Sequence, residues 1–186
     1  MKTHLIIALK LTFVTAILFG AGYPLLITLV SKVTVGAGEG EQIIVDGSLK
    51  GFELIGQKFD ADQYFNSRPS AVDYNAASTA GSNKGPTNPD YLLQVQARID
   101  TFLIHNPTVR RDQIPVDLVT ASGGGLDPHI SPESAYVQID RIAKVRNIER
   151  AKLEALVSQY VEQPTLNMGT ARVHVLRLNI ALDQLK

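Results

Sequence analysis

"LTFVTAILFGAGYPLLITLV", residues 11–30, carries no charged side chain and is bounded by Lys10 and Lys32. Twenty residues at about 1.5 Å per residue make a helix of about 30 Å, the thickness of a bilayer's hydrocarbon core. The run is therefore expected to form a membrane-spanning helix over 11–31. Its polar side chains, Thr12, Thr15, Tyr23 and Thr28, are too few for the polar stripe of a soluble core helix. Gly20, Gly22 and Pro24 would weaken a helix in water but are tolerated in lipid. The two glycines also let a second helix approach closely, so these three residues are candidates for packing within the membrane. Val35 and Ala37 have the spacing of a signal-peptidase site, yet the apolar run exceeds the roughly 7–15 residues of a signal peptide. The segment is expected to be retained.

The flanks suggest an orientation. Lys2, Lys10 and the terminal amine precede the run, whereas Lys32 is followed by Glu39 and Glu41. The positive-inside rule then places residues 1–10 in the cytoplasm. Residues 32–42 read as a flexible exit, and 43–186 as one folded domain outside the cell.

Composition narrows the function of that domain. Eighteen basic and eighteen acidic residues cancel, so no overall field attracts nucleic acid. Without cysteine there are no disulfides, thiolate nucleophiles or cysteine-based zinc sites. His4, His105, His129 and His174 form no H-x-x-x-H or H-E-x-x-H pair, and no metal site is assigned. Neither "GSNKGPT" nor "SGGGLD" has the spacing of a phosphate-cradling loop. Ser122, Asp127 and His129 lie within eight residues, which raises the alternative of a membrane-anchored hydrolase using Ser122 and His129. No G-x-S-x-G turn surrounds Ser122, however, and Asp127 and Ser131 read as caps of local backbone. No catalytic residue is assigned.

Local patterns give a coarse map. "IIVDGSLKGFELIGQKF" reads as short strands with turns at Asp46-Gly47, Gly51 and Gly56. Asn88-Pro89 and Ser131-Pro132 each pair an N-cap with proline at the first helical position. The first starts an amphipathic helix over 89–104, and the second a helix running to about Asn147. A third helix presents Leu153, Leu156, Val157, Tyr160 and Val161 on one face and ends before Pro164. "LRLNIALD", 176–183, alternates with period two and is expected to be a half-buried strand. The fold class is α+β: one N-terminal transmembrane helix followed by a single mixed α+β domain.

Between these elements lies "SRPSAVDYNAASTAGSNKGPTNPDY", residues 67–91. Asn75, Asn83 and Asn88 can bond their own backbone as Asx turns, which favours an ordered surface loop. Tyr74 and Arg68 are side chains of the type that anchor protein interfaces.

The strings "RPSAVDYNAASTAGSNKGPTNP", "VDLVTASGGGLDPHISP", "GYPLLITLV" and "LNIALD" resemble the C-subunit family of the Kdp potassium-transporting ATPases of bacteria and archaea. The resemblance covers nearly the whole chain. It implies a non-catalytic accessory subunit in the cell membrane, needed for complex assembly and acting as a catalytic chaperone that raises the ATP affinity of the pump. The implied partners are a potassium-channel-like A subunit, an ATP-hydrolysing B subunit and a small F subunit; ATP is implied through the B subunit only. The family's signature falls on Arg68, Ser70, Tyr74, Asn75, Ser82, Asn83 and Asn88 in the loop, and on Asp127 and His129 beyond it. These nine are the candidate partner contacts. One departure is the "VRN" at 145–147, where the family pattern would have Ala-Arg-Gly; Asn147 can serve as a left-handed helix cap.

Overall fold

The computed structural model describes residues 2–164 and 168–185. The chain divides into two compact units, Met1–Phe52 and Glu53–Lys186.

In the first unit, helix α1 (Lys2–Ile17) and helix α2 (Tyr23–Ser31) are joined without a break by a π-helical turn, Leu18–Gly22. The helix thus begins nine residues before the apolar run, because residues 2–10 include Lys2, Leu5, Ala8, Leu9 and Lys10, all good helix formers, and no proline or glycine. The whole rod, Lys2–Ser31, is long and apolar enough to cross a membrane. Pro24 accounts for the π turn. Lacking an N–H, it leaves the Gly20 carbonyl without its α-helical donor, and the Tyr23 N–H reaches back to Leu18 O instead. Hydroxyls are absorbed locally: Thr15 donates to Leu11 O at 2.9 Å and Thr28 to Pro24 O at 2.8 Å. From Leu11 to Val30 the outward surface is otherwise largely apolar, with Phe13 67% and Leu29 70% exposed.

Strands β1 (Gln42–Val45) and β2 (Ser48–Phe52) form an antiparallel hairpin. Its two-residue turn, Asp46-Gly47, has φ of 51° and 73°, the left-handed pair that matches strand twist.

The second unit opens with an irregular stretch that reaches helix α3 (Pro89–His105). Three short strands, β3 (His129–Ile130), β4 (Val161–Glu162) and β5 (Arg172–His174), make an antiparallel sheet with β5 in the centre. Helices α4 (Pro132–Tyr136), α5 (Ile139–Arg146), α6 (Arg150–Gln159) and α7 (Val175–Gln184) complete the unit. Phe65, Ile139, Ile142, Leu153, Val157, Val173, Leu178 and Leu182 form the centre of the core.

Several expectations need correction. The segment 176–183 is helix α7, not a strand; the strand is the short β5 before it. Both periods fit the apolar residues, and helix wins because it buries Val175, Leu176, Leu178, Asn179, Ala181 and Leu182 together. The helix expected over 132–147 is two helices, with Gln138 turned inward between them. Val161 belongs to β4 and not to the preceding helix, which ends at Gln159. Both cap-and-proline starts form as read: Asn88 Oδ1 accepts from Tyr91 N–H at 3.0 Å, and Ser131 Oγ from Ser134 N–H at 3.1 Å. Asn147 adopts φ 52°, the left-handed cap of α5.

Candidate functional site: a cross-linked loop over a polar cleft

Side chains from distant helices fix the start of the long loop. Asn179 on α7 accepts the Phe65 N–H at 2.9 Å and donates to the Phe65 carbonyl at 3.0 Å. Gln138 Oε1 accepts the Asn66 N–H at 2.8 Å. Arg141, buried on α5, donates to Tyr64 O at 3.0 Å, to Asn66 Oδ1 at 2.8 Å and to Asn106 Oδ1 at 3.0 Å. The Tyr64 carbonyl, both backbone groups of Phe65 and the Asn66 N–H are therefore paired as in a strand, without a neighbouring strand.

From this anchor the loop folds upon itself. Ser70 Oγ accepts from Val72 N–H at 3.2 Å and from Tyr74 N–H at 2.9 Å. Asp73 and Tyr74 both take left-handed φ, 48° and 59°, which turns the Tyr74 ring back so that its hydroxyl donates to the Arg68 carbonyl. Burial pushes the Tyr74 phenol up to about 12, so it stays protonated and keeps donating. Two glycines permit the next crossing. A Cβ on Gly81 would stand 2.6 Å from the Gly123 carbonyl oxygen, and one on Gly125, at φ 73°, would meet Val72 at 2.7 Å. The glycine triplet 123–125 is thus where the loop seats, supported by Ser122 N–H donating to Pro69 O at 3.3 Å.

Beside this crossing lies an open cleft of about 470 Å³, lined by Arg68, Asp117, Asp127, His129, Ser131 and Arg172 among others. Arg68 Nη1 donates to Asp127 Oδ2 at 2.9 Å, and Asp127 Oδ1 accepts the His129 N–H at 3.0 Å. Burial alone would raise the Asp127 carboxyl, but the bonds from His129 and Arg68 outweigh it and hold the group at about 2. The His129 ring lies 3.5 Å from Asp127 through Nδ1 and 3.9 Å from Glu162 through Nε2. Across the β3/β5 pair it meets His174 edge-on, with centroids 5.2 Å apart.

His174 is 1% exposed and both its ring nitrogens are engaged. Nε2 faces the Glu53 carbonyl at 2.7 Å, and Nδ1 accepts the Arg177 N–H at 3.3 Å as the cap of α7. Only the neutral ring protonated on Nε2 satisfies both. Burial lowers its pKa accordingly. Beside it the Glu53 carboxylate accepts two bonds from Arg177 Nε, at 2.7 and 2.8 Å.

The nine residues expected to contact partners fall into two groups. Arg68, Ser70, Tyr74, Asp127 and His129 come together in this cross-linked base, half-buried. Asn75, Ser82 and Asn83 stand exposed on the loop, and Asn88 is spent on capping α3. Asn75 also forms an Asx turn, accepting from Ala77 N–H at 3.0 Å. Gly20, Gly22 and Pro24 sit at the π turn, where no atom lies within 4 Å of a Cβ built on Gly20. Ser122 is buried, and among the described residues no hydrogen bond joins it to His129. Sequence reasoning missed Glu53, Arg141, His174 and Asn179. An asparagine among the leucines of "LRLNIALD" was the available signal, because a buried amide requires a partner.

A family model described as the c chain of the K+-transporting ATPase, KdpC, matches residues 5–184. A potassium-transporting ATPase KdpC subunit from Flavobacterium psychrophilum is 53% identical over 178 residues, covering 96% of each chain. That of Flavobacterium johnsoniae is 54% identical with the same coverage, and that of Bacteroides fragilis 46% identical over 100% of this chain and 99% of its own. A chain with one long apolar helix and a mixed α+β unit fits an accessory component of a membrane transport complex. It belongs to the KdpC family of potassium-transporting ATPase subunits.

Proposed function

We propose that the chain is anchored in the membrane of a bacterial or archaeal cell by the helix Lys2–Ser31, with its amino terminus cytoplasmic and its α+β unit outside. There it serves as a non-hydrolysing subunit of an ATP-driven potassium uptake pump. The observation that carries this reading is the match of the apolar helix and the folded unit together, over residues 5–184, to the ATPase c chain. Gly20, Gly22 and the Pro24 turn offer a close-packing face to helices of other subunits. Asn75, Ser82 and Asn83 are the exposed part of the docking loop, and Arg68, Ser70, Tyr74, Asn88, Asp127 and His129 hold its shape. The partners are the channel-like A subunit, the ATPase B subunit and the small F subunit.

The subunit supports assembly and raises the affinity of the B subunit for ATP. Because ATP is inside the cell and the folded unit outside, that effect requires coupling through the complex: docking favours one conformation of the pump, and that conformation binds ATP more tightly. The chain contains no cysteine, so a single Ser158→Cys on the exposed side of α6 reports topology cleanly. A membrane-impermeant maleimide should label it in intact cells. Labelling only after the cells are opened would reverse the orientation.

A further inference from the structure

Past Ser31 the chain keeps turning. Val33 N–H donates to Val30 O at 3.1 Å, Thr34 Oγ1 to Ser31 O at 2.7 Å, and Ala37 N–H to Thr34 O at 2.9 Å. A Cβ on Gly38 would stand 2.8 Å from Ser31 Oγ, so Gly38 lies against the end of the helix. One on Gly40 would stand 3.2 Å from the Phe52 ring, and Phe52 pairs with Gln42 at the open end of the β1–β2 hairpin. Fully extended, the chain from Ser31 to Gln42 would reach roughly 36 Å; measured from Gly38, Gln42 is at most about 14 Å away. The hairpin therefore starts beside the helix end. With residues 11–30 filling a hydrocarbon core of about 30 Å, Ser31 stands at its edge, and the headgroups add about 5–7 Å beyond.

The apolar surface of the helix resumes in this segment. Val33 is 86% and Val35 75% exposed. Ile44 and Leu49, opposed across the hairpin and so on one face of it, are 59% and 53% exposed. Their pair lies only about 7 Å from the open end of the hairpin. A two-stranded hairpin is marginal in water, and an apolar phase against this face stabilises it. Residues 32–51 contain no aromatic side chain and no arginine, the types that anchor protein interfaces, which favours lipid over a protein partner. Lys32 and Lys50 are nearly cancelled by Glu39, Glu41 and Asp46, so apolar contact and not net charge drives the seating.

We propose that residues 32–52 form a foot resting on the bilayer surface at which the helix ends, with Val33, Val35, Ile44 and Leu49 in the headgroup layer of zwitterionic phospholipid. The foot continues the lipid-facing surface of the helix sideways and limits how far the helix can slide or tilt. It rests on the membrane-anchored reading above and is independent of which side of the membrane the foot occupies.

The chain contains no tryptophan, so a single one reports its own depth. Full-length Phe19→Trp, Val35→Trp, Ile44→Trp and Leu49→Trp are each reconstituted into phosphatidylcholine vesicles, with and without bromine near the head of the acyl chains. Brominated lipid should at least halve the emission of all four variants, and aqueous iodide should quench Ile44→Trp and Leu49→Trp several-fold less than free tryptophan. Quenching by brominated lipid that stops at Val35, with Ile44→Trp and Leu49→Trp open to iodide, leaves the hairpin in water and overturns the proposal. Absence of lipid quenching in Phe19→Trp means instead that the helix is not in the bilayer, and the anchored reading fails with it. In membranes holding the whole pump, a photoactivated benzophenone side chain at position 44 should become attached to phospholipid. Its attachment to another subunit gives the hairpin a protein partner and likewise overturns the proposal.

Discussion

Asn179 clasps Phe65 from both directions, accepting its N–H at 2.9 Å and donating to its carbonyl at 3.0 Å, across 114 positions of sequence. Phe65 itself is fully buried, so this amide does for the loop what a strand ladder does for a sheet. The start of the loop is rigid because helix α7 carries the right side chain one residue after Leu178.

Replacing Asn179 with Ala strands a buried donor and a buried acceptor together. The expected cost is about 2–4 kcal/mol. Urea unfolding of the full chain in detergent, followed by circular dichroism, measures it. A change below about 0.5 kcal/mol would mean that the clasp contributes little.

The loop crossing is equally specific. Gly125→Ala adds a methyl at a left-handed φ of 73°, 2.7 Å from Val72, whereas the neighbouring Gly124 has open space at its Cβ. Gly125→Ala should destabilise by about 1–3 kcal/mol and Gly124→Ala by far less. Hydrogen exchange of residues 68–82 distinguishes the two variants: faster exchange is expected only in the first.

His174 makes stability depend on pH. Its folded pKa is lowered from 6.5, so the unfolded chain takes up the proton more readily. The contribution is complete above about pH 6.5 and is lost as pH falls through the depressed folded value. The groups facing the ring are Glu53, His129 and Arg177; burial would raise the Glu53 carboxyl, but the bonds from Arg177 outweigh it and hold its pKa below the usual value. In His174→Asn the slope of stability between pH 6.5 and 5 should flatten. An unchanged slope would assign that titration elsewhere.

Much of this architecture could be read locally. Asn88-Pro89, Ser131-Pro132, Asp46-Gly47 and Asn147 all act through backbone within four residues, and each formed as its chemistry dictates. The α+β class and the apolar helix were likewise legible. Helix α7 was not, because Leu176, Leu178, Ile180 and Leu182 fit a strand as well as a helix until the core shows which side is covered. Of the site, the ordered loop was visible in its asparagines and tyrosine. Its fastening to Gln138, Arg141 and Asn179 was not, since those bonds join residues more than seventy positions apart.

The membrane helix gives its own prediction. Gly20→Leu and Gly22→Leu fill the surface beside the π turn, where a Cβ built on Gly20 meets nothing within 4 Å. Both should reduce recovery of the chain with other pump subunits at least fivefold while leaving the circular dichroism of the folded unit unchanged. Equal recovery would remove this face from the packing account.

The most direct test is the company the chain keeps. A tag at its carboxyl end, applied to gently solubilised membranes of potassium-starved cells, should bring down the channel-like and ATP-hydrolysing subunits in fixed proportion with the full-length chain. Recovery of the chain alone, or of a shortened form from the external medium lacking the apolar helix, would contradict a membrane-anchored pump subunit.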